Sequence, residues 1–233
     1  MGTSATHEET REGHDEQVAA GHTSEGLRPA LRSRMFARVW RMIDDSVDAQ
    51  IRPAKADVLV DLPERLVEIG PGRGSNFSYY GDGTRVVAVE PNRLFHDDLR
   101  SSAHEHAVEV DVHGGDLSSA RLPTASEDVV VSTLVLCSVP DADAELAEIR
   151  RVLRPGGRLV FIEHVAGEPG SATSVAQRVL RRPWRLMADG CDLCADTVDA
   201  IKNAGFVDVD AKRGRLGPAA DPSSPMYWGV ATR

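Results

Sequence analysis

Between Leu31 and Ile51 the apolar residues Met35, Phe36, Val39, Trp40, Ile43 and Val47 recur every three or four positions. That spacing predicts an amphipathic helix, and Pro53 ends it or begins the next turn, because a proline pushes its predecessor out of helical geometry. Beyond it the period changes. Leu66 to Ile69 is a short apolar run that stops at a glycine cluster, and Val86 to Val89 is β-branched and ends at an acid. His106 to Val112 alternates apolar and polar, and Asp128 to Leu136 is nearly continuous apolar sequence, as a strand buried on both faces requires. Asp141 to Leu153 predicts a helix closed by the turn formers Arg154-Pro155-Gly156-Gly157, and Arg158 to Val165 predicts the next strand. A further helix is expected over Val175 to Met187 and another from Thr197. Strands alternating with helices predict an α/β fold with a doubly wound parallel sheet, whose ligands bind beyond the carboxyl ends of the strands.

The candidate chemistry falls at those ends. Glu68-Ile69-Gly70-Pro71-Gly72-Arg73-Gly74 follows a strand and precedes an expected helix containing Asn76, Phe77, Tyr79 and Tyr80. Glycines let the backbone turn sharply and approach a ligand, and a following helix start offers free N–H groups to negative ones. A dinucleotide fingerprint would read G-x-G-x-x-G; here the third glycine comes one residue early and Ser75 takes its place. Glu90 ends the next strand, twenty residues after Gly70, where a carboxylate can accept from both hydroxyls of a ribose and disfavours a 2′-phosphate. Asp116, after Gly115 and before Leu117, is an acceptor for an adenine amino group or an ordinary turn residue.

Composition narrows the classes. The chain has 233 residues, 41% of them hydrophobic, enough for one α/β domain with a substantial core. Its net charge of −9 argues against a nucleic-acid partner and against docking on an anionic membrane. No apolar run reaches the roughly 20 residues of a membrane-spanning helix, and the polar start lacks a signal-peptide core. Three cysteines make no disulfide framework, so a cytoplasmic protein is expected. Residues 1–27 are too polar to order alone and are expected to form a flexible tail or a lid, with residues 28–233 as a single domain.

Taken together, Glu68-x-Gly70-x-Gly72-x-Gly74, Glu90, Asp116 and the Pro155-Gly156-Gly157 turn resemble the class I S-adenosylmethionine-dependent methyltransferases. A narrower resemblance runs from about Met35 to Val207. Val67 to Phe77, Ser132 to Val139, Arg151 to Gly157, Glu163-His164-Val165, Pro183-Trp184 and Asp189-Gly190-Cys191 are similar to the animal methyltransferase-like thiol S-methyltransferases. The resemblance implies a Rossmann-like seven-stranded sheet with an antiparallel last strand, its final strands over Phe206 to Arg213 and Met226 to Thr232. It implies S-adenosylmethionine held by Glu68, Gly70, Pro71, Gly72, Gly74, Asn76, Glu90, Pro91, Asn92, Asp116 and Leu117, with Leu134 and Cys137 beside the sulfonium. The animal enzymes carry an apolar N-terminal anchor where this chain has polar sequence, so no membrane anchor is expected.

The reaction so implied is an in-line displacement in which orientation supplies much of the rate. A thiol acceptor ionises near ~8.5 and needs no strong base, whereas a hydroxyl does. A small-molecule thiol is therefore the expected acceptor; a quinone, lipid or natural-product hydroxyl or amine is the alternative. A noncatalytic binder and an NAD-dependent dehydrogenase are the readings from other classes. His164 and Asp189 are the candidate base or orienting groups, with Tyr79 and Tyr80 behind them. Asp189 could equally stop one helix or cap the helix from Thr197, and Arg73 could face the donor's carboxylate or solvent. Cys191 and Cys194 form C-x-x-C, but a zinc site needs two more ligands and none follows at suitable spacing, so no metal is expected. Cys137 reads as a small packing residue. Pro218 to Pro225 either borders the acceptor pocket or merely connects strands.

Overall fold

A computed structural model describes residues 24–218 and 220–233, with side chains from residue 33 onward. Residues 1–23 of the expected tail lie outside the described residues; Ser24 already begins the first helix.

The strands are β1 (Arg65–Ile69), β2 (Arg85–Val89), β3 (Glu109–His113), β4 (Glu127–Thr133), β5 (Leu153–His164), β6 (Val207–Arg215) and β7 (Pro225–Thr232). They form one sheet in the order β3-β2-β1-β4-β5-β7-β6. Neighbours from β3 to β5 run parallel, and β7 is antiparallel to both β5 and β6. This is the expected doubly wound sheet with an antiparallel last strand. Strand order reverses between β1 and β4, and both carboxyl ends open there.

The helices are α1 (Ser24–Val58), α2 (His96–Glu105), α3 (Ala142–Val152), α4 (Ala172–Met187) and α5 (Thr197–Asn203). Alternation within the strands sorts two cores. Leu66, Val86, Ala88, Val129, Val131 and Ile162 pack under α1 and α2. Val67, Val87, Val89, Val130, Leu159 and Phe161 face α3 and α5. Because both faces are covered, the central strands read as apolar runs in the sequence. Asp141 caps α3 by accepting from the Ala144 N–H at 3.0 Å, and Ser171 caps α4 through the Ser174 N–H at 3.1 Å.

Three local expectations need correction. The first helix does not end at Pro53 but runs to Val58. A proline inside a helix costs about 3 kcal/mol, and the burial of Ile51, Ala54 and Val58 against the sheet offsets it. The glycine loop is not followed by a helix: Phe77–Tyr79 makes a single 3-10 turn. The Gly81-Asp82-Gly83 turn into β2 comes too soon for more, and the Asn76 side chain is turned inward. Arg154 to Gly157 do not form a turn between elements; they bulge within β5, since Glu127 pairs with Leu153 while Val129 pairs with Arg158.

Candidate active site

A cavity of about 620 Å³ opens over the carboxyl ends of β1, β2, β4 and β5. Its donor-side wall is the glycine loop. Gly70 and Gly72 have φ of +56° and +57°, a left-handed conformation that side chains disfavour, and a Cβ on Gly70 would collide with Val135. The loop is pinned from three directions. Glu68 accepts from Asn76 Nδ2 at 2.7 Å and from the Tyr80 hydroxyl at 2.7 Å. Glu90 accepts from the Gly72 N–H at 2.9 Å and the Asn92 N–H at 2.7 Å. Lys55, fully buried on α1, donates to the Ser75 hydroxyl at 2.9 Å and the Ser75 carbonyl at 3.1 Å, and pairs with Asp48.

This packing sets the charges. Burial pushes the Glu68 carboxyl up to about 7, against the hydrogen bonds from Tyr80 and Asn76 that favour its ionised form. Burial raises Glu90 too, opposed by the Asn92 and Gly72 N–H groups. Burial lowers the Lys55 ammonium against the pull of Asp48. Lys55 carried no motif and its role escaped the sequence reading; a lone lysine among the apolar positions of a helix face was the available signal.

Glu68, Gly70, Pro71, Gly72, Asn76, Glu90, Pro91 and Asn92 all line the cavity, as do Leu134, His164 and Asp189. Asn76 Oδ1 is a buried acceptor without a partner. Gly74 stays behind the loop, with Phe77 2.9 Å from where its Cβ would stand. Asp116 and Leu117 are not brought into the cavity wall. Asp116 is exposed and caps a 3-10 turn over Leu117–Ala120, its Oδ1 accepting from the Ser118 and Ser119 hydroxyls at 2.7 Å each. Those bonds hold its carboxyl below the ordinary range. Leu117 is fully buried in the core beneath α3 and α5. Arg73 lines the cavity and is held by acids, paired with Asp44 at 2.6 Å and 3.5 Å from Asp98.

The acceptor side is built on β4 and β5. Glu163, fully buried, accepts from the Ser132 hydroxyl at 2.7 Å and from the N–H groups of Val135, Leu136 and Cys137 at 3.1, 3.0 and 3.2 Å. One carboxylate thus shapes the whole turn after β4, in which Leu134 adopts φ +60°. The Asp192 N–H donates to the Cys137 carbonyl at 2.8 Å and ties in the segment after α4. Cys191 therefore faces Cys137 and His164 instead of Cys194. The Cys137 and Cys191 sulfurs are 3.6 Å apart, and His164 Nδ1 is 3.4 Å from Cys191 and 3.9 Å from Cys137. This corrects the expectation that Cys191 has no ligand partners nearby; spacing in the chain could not reveal them, because the three residues come from three segments. The hydrogen bond from Cys137, then His164, favours the Cys191 thiolate, while the same contact and burial raise Cys137. Burial works against the His164 charge, but Cys191 outweighs it and raises the imidazole.

The other proton-transfer candidates are accounted for. Burial and Glu68 hold the Tyr80 hydroxyl well above its ordinary value, so it is no base. Burial and the Asp48 charge also raise Tyr79, which stacks against Lys55. Asp189 sits at φ +46° just past α4 and does not cap α5, whose N-cap position is Asp196. From the strand connection near residue 220, Asp221 and Ser223 border the cavity. Among the described residues no helix is long and apolar enough to cross a membrane.

A doubly wound sheet that carries its glycine loop and strand-end acid at the switch point is the arrangement that binds nucleosides and nucleotides. A methyltransferase domain model matches residues 67–161. Human thiol S-methyltransferase TMT1B is 41% identical over 171 residues, 72% of this chain and 70% of that protein, and human TMT1A is 40% identical over the same shares. Among solved structures, the Burkholderia thailandensis 1,6-didemethyltoxoflavin-N1-methyltransferase, bound to S-adenosylhomocysteine, superposes with a TM-score of 0.64 at 22% identity, over 94% of this chain and 92% of that one. The chain belongs to the S-adenosylmethionine-dependent methyltransferases, in the family of the thiol S-methyltransferases.

Proposed function

We propose that this protein methylates the sulfur of a small-molecule thiol. The observation that carries the reading is the makeup of the acceptor half of the cavity. Two candidate proton acceptors there are already engaged: the Tyr80 hydroxyl donates to Glu68, and His164 Nδ1 lies against the Cys191 sulfur. A thiol supplies its own thiolate fraction near neutrality and needs only to be oriented. The apolar walls from α1 and α4, Trp40, Ile43, Trp184 and Met187 among them, suit a lipophilic thiol.

The donor supplies an electrophilic methyl group on a sulfonium. On the chain's side, Glu90 is the acceptor for the ribose hydroxyls, and the unpartnered Asn76 Oδ1 is an acceptor for a donor N–H. Gly70 and Gly72 bring the backbone close, with Pro71, Gly74, Pro91 and Asn92 framing them. Leu134 borders the point where donor and acceptor meet. Cys137 backs the wall without lining it. Asp189 orients the acceptor. The acidic charge and unbridged cysteines favour work in the cytoplasm.

The test is mass spectrometry of products after incubation with S-adenosylmethionine and a panel of thiols, phenols and amines. Methylation of thiols alone, lost in Glu90→Ala, is expected. Methylation confined to phenols or amines would overturn the thiol assignment.

A further inference from the structure

The three groups Cys137, His164 and Cys191 converge with their ligand atoms within 4.8 Å of one another. A tetrahedral zinc with Zn–S of ~2.3 Å and Zn–N of ~2.0–2.1 Å spaces two sulfurs about 3.8 Å apart and a sulfur and nitrogen about 3.5 Å apart. The distances here are 3.6 Å between sulfurs and 3.4 and 3.9 Å from sulfur to nitrogen. The triangle is already that of three corners of the tetrahedron. A disulfide would instead need the sulfurs at ~2.05 Å.

The setting is rigid. Glu163 holds the Cys137 backbone, and the Asp192 N–H to Cys137 carbonyl bond fixes the two cysteine segments to each other. The indole N–H of Trp184, which also lines the cavity, is buried without a hydrogen-bond partner. Two thiolates and an imidazole form a soft donor set, suited to a d¹⁰ cation such as Zn²⁺. His164 and Cys191 line the cavity while Cys137 lies behind them, so the fourth corner opens toward the acceptor space.

We propose that Cys137, His164 and Cys191 bind one Zn²⁺, and that its open fourth position takes the acceptor sulfur. Loading releases the thiol protons of the two cysteines to solvent, and an acceptor thiol gives up its own proton to solvent as its sulfur ligates. The metal site stands on geometry alone; the occupant of the fourth corner rests on the thiol reading above.

The test uses the full chain, reduced with a phosphine and titrated with Co²⁺ as a spectroscopic substitute. One equivalent is expected to give tetrahedral visible bands and a near-ultraviolet thiolate charge-transfer band, both erased by one equivalent of Zn²⁺. Cys137→Ala and Cys191→Ala should each weaken binding by more than the about 10–100-fold that losing an outer partner costs, and Cys194→Ala not at all. If an alanine variant does not fold, the charge-transfer intensity of the wild-type chain still counts its thiolates, and two are required. Adding 2-mercaptoethanol should raise that band by a third thiolate. Absence of stoichiometric binding in the reduced chain, binding that survives both alanine variants, or equal loss in Cys194→Ala would overturn the site. A loaded site whose spectrum ignores 2-mercaptoethanol would overturn the open position. Thiol methylation that proceeds at full rate in metal-stripped protein would remove the metal's role and leave the thiol reading standing; a loaded site without thiol methylation would do the reverse.

Discussion

The Glu163 carboxylate accepts the backbone N–H of Cys137 at 3.2 Å, across 26 positions of chain. With three further donors on the same two oxygens, it gives the turn after β4 its shape. Replacement by alanine would orphan these donors, at about 1–3 kcal/mol for each one left dry. Glu163→Ala is expected to lower stability by several kcal/mol in a urea melt. Glu163→Gln, which keeps the volume but loses acceptor capacity, should cost less.

Glu68 makes stability depend on pH. Its carboxyl is held near 7 in the folded chain against an ordinary 4.5, so the unfolded chain releases this proton first. The contribution is full below about 4.5, falls by about 1.4 kcal/mol for each pH unit through the window, and is gone above about 7. The total is on the order of 3 kcal/mol. Glu68→Gln should flatten that part of the profile in denaturant melts from pH 4.5 to 7.5; an unchanged slope would refute the assignment.

Glu90 braces Gly72 and faces the cavity at once. Charge-assisted hydrogen bonds contribute about 1.5–3 kcal/mol each, so Glu90→Ala should weaken S-adenosylmethionine binding by about 10- to 100-fold in calorimetry. Glu90→Asp, a shorter carboxylate, should recover part of that loss.

Gly70 tests the loop geometry. Gly70→Ala carries both a strained φ, at about 1–3 kcal/mol, and a collision with Val135. Pairing it with Val135→Ala removes the collision and leaves the strain. The double variant is therefore expected to bind the donor better than Gly70→Ala alone and worse than wild type; additivity of the two losses would contradict the packing described.

How much of this was legible beforehand follows from the range of each interaction. The alternating and continuous apolar runs report local periodicity, so the first five strands, α3, α4 and the two-sided core could be read from spacing, whereas β6 and β7 came from the family resemblance. The glycine loop and Glu90 could be read too, because a strand end and the turn after it lie within a few residues. Legibility failed where an element's fate hangs on distant partners. Pro53 argued for a helix end, yet burial of the face around Lys55 carried the helix past it. Tyr80 stood among the candidate bases until Glu68 was placed against it.

By itself, then, the chain's sequence determined the α/β class, the doubly wound order and the position of the donor loop, since these rest on patterns repeated along contiguous residues. The tertiary structure alone decided that Cys191 turns to Cys137 and His164 and away from Cys194, its neighbour in C-x-x-C. The reason is physical: Glu163 and the Asp192 to Cys137 backbone bond bring together segments 27 and 54 positions apart, and no local spacing encodes a contact made through the fold.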